Sequence, residues 1–451
     1  MPLKRRHRGS NDAPAGMAGW VDPRCAGRRL GSILDLPAGW RLRGVRVARV
    51  YPARPAGIGI EYDLLLRGED GREVHGAVYA SPADLPPGRD SRSVRIRPGS
   101  AFGLVGLSHH LAGEGIALHT PDRDARLPFI PVAALTARRG GESGPTPVES
   151  RLGMVRRPRC ACLSYRPGRR CTLAYQGTGP DRERFYVGKL YHNGISARTP
   201  ALARALAREL RAPPGDDLQT PRVVARWPDL NMVVFEGLAQ EAPGPDSQHE
   251  PLQRASAAGR FLTRLRRLSF PGLPRFTPAD EIAVVERWLR VTEDAGRPTT
   301  RPRRLLDRLR RRVARLPRGR RCTVHRDYYD AQLLRTADGW GVLDLDTAAL
   351  GHPEIDVGNY LAHLAWASLR RTGHAGHAPA AGAFLDACGG LARLDLRLLQ
   401  FYLSTSLLRI GLIHSLRSGT ERTAPRLFHV ARACLDPAPG RLPSRWMEEL
   451  S

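Results

Sequence analysis

The spacing of apolar and polar positions changes partway along the chain. In WRLRGVRVARVYPARPAGIGIEYDLLL (40–66) and EVHGAVYA (73–80), β-branched and aromatic residues are interleaved with polar ones, the pattern of half-buried strands. RPRCACLSYRPGRRCTLAYQG (157–177) reads as two strands joined at Pro167 and Gly168, and RFYVGKLYH (184–192) as a third. PRVVARWPDLNMVVFEGL (221–238) predicts two more. From residue 251 onward the apolar spacing is mainly that of helices, in QRASAAGRFLTRLRRL, DEIAVVERWLRV, DVGNYLAHLAWASLRR and LDLRLLQFYLSTSLLRIGLIHSL. APGPDSQ (242–248) has the composition of a hinge between them. A β-rich half followed by a helical half implies two lobes and a cleft.

The β-rich part divides again. RRGGESGPTPVES (138–150) is a linker by composition, and the segments on its two sides are alike. Tyr51, Tyr62 and Tyr79 are spaced by 11 and 17 residues, Tyr165, Tyr175 and Tyr191 by 10 and 16. GAVY (76–79) matches GKLY (188–191), and HTPDRDARLPF (119–129) is similar to RWPDLNMVVF (226–235). These matches predict a diverged internal duplication of a small β-rich unit, with Ala77 in the first copy where the second has Lys189.

Composition sharpens the interest in that lysine. Of 71 Lys and Arg residues only Lys4 and Lys189 are lysines, so the body of the chain writes every other cation as Arg. An ammonium is a compact point charge and a guanidinium a planar fork, which points to a site that needs the former. TPALARALARELRA (199–212) follows as a helix, with Thr199 suited to its N-cap and Pro200 to its first position. Leu202, Leu206 and Glu209 fall at i, i+4 and i+7, which turns a carboxylate inward, and Lys189 is the nearest candidate to pair with it.

The net charge of +27 suggests a polyanion partner, yet the arginines are interleaved with acids except in KRRHR (4–8) and RPRRLLDRLRRRVARLPRGRR (301–321). Leu305, Leu306, Leu309, Val313 and Leu316 give the second stretch helical spacing, so its basic residues form a solvated face and no specific nucleic acid is expected. Seven cysteines, an odd count without a CxxC pair, argue against a disulfide framework or a zinc ribbon. No apolar run approaches the roughly 18 to 20 residues of a membrane span. The basic start lacks the apolar stretch of a secretory signal, so residues 1–28 are expected to be a disordered tail and the protein cytoplasmic.

One short β insertion interrupts the helical half: RRCTVHRDYYDAQLLRTADGWGVLDLDTAALGHPEID (320–356). With Asp338 and Gly339 as turn residues, Leu334 faces Leu343, and Gln332 falls beside Asp344 and Leu345 to within a residue or two. Asp327, in the loop feeding the first strand, opens onto the same end. Phosphoryl transfer needs a carboxylate for the attacking hydroxyl, oxygen ligands for Mg²⁺ and a fixed cation on the nucleotide phosphates. Asp327, Asp344 with Gln332, and Lys189 suit those roles in that order.

HRDYYDAQLL resembles the HxDxxxxN catalytic loop of the aminoglycoside phosphotransferase and choline kinase superfamily, and VLDLDTAALGHPEIDVGNYLAHL resembles its metal-binding strand and the Asp-containing helix start that follows. The resemblance spans residues 156 to 420. It implies an α+β, protein-kinase-like two-lobed fold: a β-rich small lobe, and a mainly helical large lobe with a β-hairpin insertion. A degenerate β-rich domain precedes it. It also implies ATP and Mg as cofactors and a small-molecule hydroxyl as acceptor. By position, Asp327 is the base, Asp344 the principal metal ligand, and Lys189 with Glu209 the ion pair on the phosphates. His325 is expected as a buried hydrogen-bonding residue and Asp346 as a supporting acid or a metal contact. Asp356 is expected to cap the helix beginning near Val357 and steady the catalytic loop. His374 and His377 are read as loop residues without a metal.

The chain departs from the superfamily at Gln332, where the loop pattern has Asn, at Arg266, where a His is frequent, and in having YRPGRR (165–170) instead of a GxGxxG loop. The expected division is a tail (1–28), a degenerate β-rich domain (29–140), a linker (141–155), the small lobe (156–241) and the large lobe with the catalytic loop (242–451). Two other classes remain open: a pseudokinase-like nucleotide-binding or regulatory protein without turnover, and an Arg-rich nucleic-acid binder.

Overall fold

The computed structural model describes residues 17–435 apart from 54–56, 83–89, 99, 135–137, 140–141, 144–145, 155, 181, 193–197, 212–216, 242–249, 373–377 and 418. The basic stretch 4–8, the hinge 242–248, parts of the linker, and His374 and His377 lie outside the described residues.

Helices α1 (Met17–Val21) and α2 (Pro23–Ile33) open the front unit. The Asp22 carboxylate accepts from the amides of Arg24 and Cys25, and Pro23 takes the first helical position, so the turn between the helices is a capped start. Residues 17–28 therefore correct the expectation of a disordered tail through residue 28. Trp20 is fully buried, its Nε1 donates to Glu114 at 2.8 Å, and its carbonyl accepts from the Tyr62 hydroxyl at 2.8 Å. A buried indole ties this segment to the sheet.

That sheet begins as an antiparallel meander of β1 (Trp40–Pro52), β2 (Ile58–Gly68) and β3 (Glu73–Pro82). β4 (Arg95–Arg97) and β5 (Gly103–Val105) pair beside it, and β6 (Ser108–Leu111) and β7 (Ile116–His119) complete the order β1-β2-β3-β7-β6. The short helices α3 (Ile130–Ala134) and α4 (Pro147–Arg151), with the two-residue strands β8 (Arg138–Arg139) and β9 (Glu142–Ser143) between them, lead to a second sheet. It holds β10 (Arg156–Arg166), β11 (Arg170–Thr178) and β12 (Glu183–Tyr191). After α5 (Arg198–Arg211) and β13 (Leu218–Gln219) come β14 (Val223–Trp227) and β15 (Met232–Glu236), giving the order β10-β11-β12-β15-β14.

The two five-stranded sheets thus have one strand order, and the two tyrosine triplets lie on corresponding strands. One sequence match is out of step. The turn Pro121–Arg123 follows β7, whereas Pro228–Leu230 joins β14 to β15, so the counterpart of the latter is the turn Ala112–Glu114. A shared Pro-Asp start to a 3₁₀ turn is local chemistry and carries no register.

The helical half consists of α6 (Glu250–Leu265), α7 (Pro278–Asp294) and α8 (Thr300–Val313), then the insertion with β16 (Cys322–Val324), β17 (Leu333–Thr336), β18 (Gly339–Val342) and β19 (Ala349–Gly351). α9 (Glu354–Thr372), α10 (Ala378–Ala387), α11 (Leu396–Ser415) and α12 (Ala424–Leu435) follow. α11 is long and apolar enough to cross a membrane, which corrects the expectation that no such run exists, but most of it is buried and it packs against α7, α8, α9 and α12. α8 buries Pro302, Leu305, Leu306 and Leu309, while Arg310 on its other face reaches Glu286 at 2.7 Å. None of the seven cysteines, all of them among the described residues, forms a disulfide.

Three cores hold the fold, and two of them share the second sheet. Cys171, Leu173 and Tyr175 of β11 share one with Tyr79, Phe102, Val105 and Leu127 of the front unit. Val233 and Phe235 of β15 and Leu202, Leu206 and Leu210 of α5 join the core of the helical half. The front unit's own core takes in Val291 in the last turns of α7, Ala295 just after it and Leu416 just after α11. It therefore touches both lobes.

Candidate active site

The β17–β18 hairpin pairs Leu333 with Val342, Leu334 with Gly341 and Thr336 with Gly339, so Ala337 and Asp338 are the turn residues, one position earlier than expected. Gly339 serves a different need. Its φ is 124°, and a Cβ there would lie 2.2 Å from the Asp217 carbonyl oxygen, beside parallel strand β13. At the open end the Gln332 carbonyl accepts from the Leu343 amide at 2.9 Å, which sets Gln332 next to Asp344. Asp344 has a left-handed backbone, φ 60°, uncommon outside glycine.

Lys189, opposite Thr172 on the neighbouring strand, reaches across the cleft to this end. Its Nζ donates to Asp344 Oδ1 at 2.9 Å and to Asp346 Oδ2 at 3.3 Å. Arg170 grips the same acids: Nη2 lies 2.8 Å from Asp344 Oδ2, Nη1 lies 3.1 Å from Asp344 Oδ1, and Nη1 also bonds Asp346 Oδ2. The Tyr191 hydroxyl donates to Asp346 Oδ1 at 3.1 Å. The four charged side chains are 10 to 20% exposed. Burial opposes ionisation of Asp344, but Lys189 and Arg170 outweigh it and hold the carboxyl well below the ordinary range. Burial likewise opposes the charge on Arg170, and Asp344 and Asp346 reverse the effect.

Arg170 and Tyr191 have no site role in the sequence reading. Strand parity was the available signal, because positions 170 and 172 share a face of β11, and 189 and 191 share one of β12. The Lys189–Glu209 ion pair is a correction in the other direction. α5 buries Leu202, Ala203, Leu206 and Leu210, leaving Glu209 half-buried at the edge of the stripe, and among the described residues no ion pair joins it to Lys189. Two closer carboxylates hold the ammonium. α5 also starts at Arg198, so Thr199 and Pro200 lie within its first turn.

The loop carrying Asp327 is clamped on both sides. His325 is fully buried, and its Nε2 lies 2.9 Å from the Leu343 carbonyl, which makes that nitrogen the donor. The amides of His325 and Arg326 donate to the Asp356 carboxylate at 2.8 and 2.7 Å, and Arg326 adopts φ 73°. Asp356 was expected to cap a helix starting near Val357. Instead α9 starts at Glu354, Asp356 sits within its first turn, and its oxygens are spent on the loop amides. Burial raises its pKa against the pull of His325 and those amides. Past Asp327, the Tyr328 hydroxyl donates to the Ala258 carbonyl at 3.1 Å and the Asn359 amide to the Tyr328 carbonyl at 2.9 Å. Asp327 stays half-exposed between these anchors. Burial lowers the pKa of Arg166, at the end of β10, as does Arg170, while Asp327 and Asp344 both offset it, so the two acids act on one guanidinium.

The hairpin that carries Arg166 and Arg170 is tied to the front unit. Asp124 Oδ2 accepts from the Tyr165 hydroxyl at 2.6 Å and from the Gly168 amide at 2.7 Å. Arg49 Nη2 donates to the Tyr165 carbonyl at 2.7 Å.

Among the described residues no cluster of three or more His, Cys, Asp or Glu could hold a metal ion. Asp344, Asp346 and Gln332 offer a partial set of oxygen ligands. That suits Mg²⁺, which keeps several waters and completes its shell with substrate phosphates.

A profile of the family described as "Phosphotransferase enzyme family" matches residues 174–396, from within β11 to the first residue of α11. No curated protein matches the chain. Among the solved structures similar to it are the following. A choline/ethanolamine kinase family protein from Mesorhizobium loti is 15% identical over 72% of this chain and 97% of its own, with a TM-score of 0.43. An amicoumacin kinase is 15% identical over 64% and 92%, with a TM-score of 0.45. A macrolide 2′-phosphotransferase from Brachybacterium faecium is 17% identical over 65% and 97%, with a TM-score of 0.39.

Proposed function

Since residues 174–396 match the phosphotransferase enzyme family, we propose that the chain moves the γ-phosphate of ATP to a hydroxyl of a small molecule. The observation that carries this reading is the meeting of Lys189 from the second sheet with Asp344 and Asp346 at the end of the large-lobe hairpin. Asp327 is the base. Its loop is fixed by Asp356 on one side and by Asn359 on the other, so its half-exposed carboxylate keeps one position from which to orient and deprotonate the acceptor hydroxyl. Lys189 supplies the fixed cation for the nucleotide phosphates. Asp344, with Gln332, would hold Mg²⁺, which when bound neutralises charge on the transferring phosphoryl oxygens. The reading places the protein in the cytoplasm, where ATP is supplied.

The test is a screen of hydroxyl acceptors for Mg²⁺-dependent ATP consumption by the purified protein. With a productive acceptor, Asp327→Asn lowers turnover by at least about 10²-fold, the usual scale for loss of a general base, and keeps nucleotide binding. Equal turnover by wild type and Asp327→Asn removes Asp327 from the role. A wild type that binds Mg·ATP and transfers to nothing becomes a nucleotide-binding protein without turnover, in line with Gln332 replacing the usual Asn.

A further inference from the structure

Every carboxylate oxygen at the hairpin end already has a donor. Asp344 Oδ1 accepts from Lys189 at 2.9 Å and from Arg170 at 3.1 Å, and Asp344 Oδ2 accepts from Arg170 at 2.8 Å. Asp346 Oδ2 takes Arg170 and Lys189, and its Oδ1 takes Tyr191. Two cations therefore balance two acids in a nearly buried cluster. A bare divalent cation arriving here meets oxygens that are already spoken for and two positive charges in contact with them. A nucleotide changes this, because its phosphates offer new acceptors to the cations and release the carboxylate lone pairs.

Arg170 is built for that exchange. Its planar fork matches two phosphate oxygens at once, where an ammonium acts as a point. Its Nε is buried without a partner, a donor not used in the resting arrangement. It begins β11 directly after the turn at Gly168, whose amide is anchored by Asp124, so it projects from a fixed hairpin.

We propose that Arg170 is a second phosphate-binding cation beside Lys189, and that the two hold Asp344 closed to divalent metal until nucleotide arrives. This deepens the phosphotransferase reading and rests on it. The experiment titrates Mn²⁺ into the full chain, followed by electron paramagnetic resonance, with and without a non-hydrolysable ATP analogue. Analogue affinity is measured in parallel for wild type, Arg170→Gln and Arg170→Lys, each checked for folding by circular dichroism.

In the wild type Mn²⁺ is expected to bind at least about tenfold more tightly with the analogue than without it. Arg170→Gln is expected to weaken the analogue roughly ten- to hundredfold, the scale of a hydrogen bond to a charged group, and to tighten Mn²⁺ alone. Arg170→Lys, with the charge but not the fork, falls between. Unchanged analogue affinity in folded Arg170→Gln, or wild-type Mn²⁺ binding that ignores the analogue, overturns the proposal while leaving the phosphotransferase reading standing. If Arg170→Gln does not fold, Arg170→Lys and the wild-type titration decide. A wild type that binds no analogue at all overturns the phosphotransferase reading itself.

Discussion

Replacing Lys189 by Met should destabilise the protein even without nucleotide. The side chain is 13% exposed, and its two partners, Asp344 and Asp346, are 20 and 10% exposed. Removing it leaves one guanidinium facing two carboxylates. At about 3 Å and an effective dielectric near 20, each lost contact is worth roughly 5 kcal/mol gross. The desolvation that Lys189 no longer suffers offsets much of that. Breaking a fully buried pair costs about 3–5 kcal/mol and an exposed one up to about 1, so a nearly buried pair with Arg170 still in place should cost about 2–3 kcal/mol.

Unfolding entropy of about 2 cal/mol/K per residue makes 1 kcal/mol worth roughly 1 °C in a chain of 451 residues, so the melting temperature should fall by about 2–3 °C. The pH dependence follows from Asp344. Its carboxyl is held below the ordinary 3.8, so the stability it lends is present above that value and is lost as pH falls through the lower, folded one. The gap between wild type and variant should thus be equal at pH 7 and pH 5 and narrow only below about pH 4. Adding Asp346→Asn to Lys189→Met restores one cation to one carboxylate and should recover at least half of the loss. Differential scanning calorimetry of the apo proteins checks this. Coincident melting of wild type and Lys189→Met at pH 7 refutes the account of a coupled, nearly buried cluster.

Two further changes test neighbouring parts of the structure. His414 is buried and stacked on Trp366 at 4.1 Å between ring centres, and burial, with Arg417 and Arg370, lowers its pKa to about 3. The unfolded chain takes up a proton near 6.5 that the folded one refuses, so stability is lost as pH falls below 6.5, by about 2 kcal/mol at pH 5. His414→Phe keeps the stack and should flatten the melting-temperature profile between pH 7 and 5; an unchanged slope contradicts the burial account. Asp124→Ala removes the acceptor of the Tyr165 hydroxyl and the Gly168 amide, bonds of about 1.5–3 kcal/mol each to a charged group. Hydrogen exchange at residues 166–170 should accelerate while that of α9 stays the same, and equal protection in both proteins removes Asp124 from the role of anchor.

What could be read from the chain depended on whether the signal was local. The hairpin announced itself through alternation and a turn pair, and Gln332 landed beside Asp344 although the turn lies one residue earlier, because a two-residue turn shifts the pairing only slightly. Lys189 stood out by composition. Its partners did not, since they depend on how far two lobes stand apart. Glu209 had the right helical phase for an inward carboxylate, yet phase says nothing about competitors, and Asp344 and Asp346 are closer. Arg170 was hidden among many arginines, and its role is visible only once the register of β11 on β12 is known. Trp20 was lost for the opposite reason: one buried aromatic orders a segment whose average composition looks like a tail.

We read residues 29–140 as a diverged copy of the small lobe that has exchanged a binding site for a packing surface. Ala77 stands where Lys189 stands in the other sheet, and the interval between β3 and β6 holds the short pair β4–β5 where the second sheet has α5. Residues 29–140 contain no lysine to hold a phosphate. What the copy supplies is cover. An antiparallel sheet with one face in water alternates apolar and polar residues, but Cys171-Thr172-Leu173-Ala174-Tyr175 does not, and β11 is buried on both sides at its centre. Cys171, Leu173 and Tyr175 face Tyr79, Phe102 and Val105 of the front unit, while Thr172 shares the cleft side with Lys189. The same front unit buries Val291, Ala295 and Leu416 of the large lobe, so a rotation that opened the cleft would have to slide or break apolar contacts at both lobes. Non-alternating strands in a small lobe are therefore a mark of a covering partner, and in this chain that partner is encoded in front of the lobe it covers.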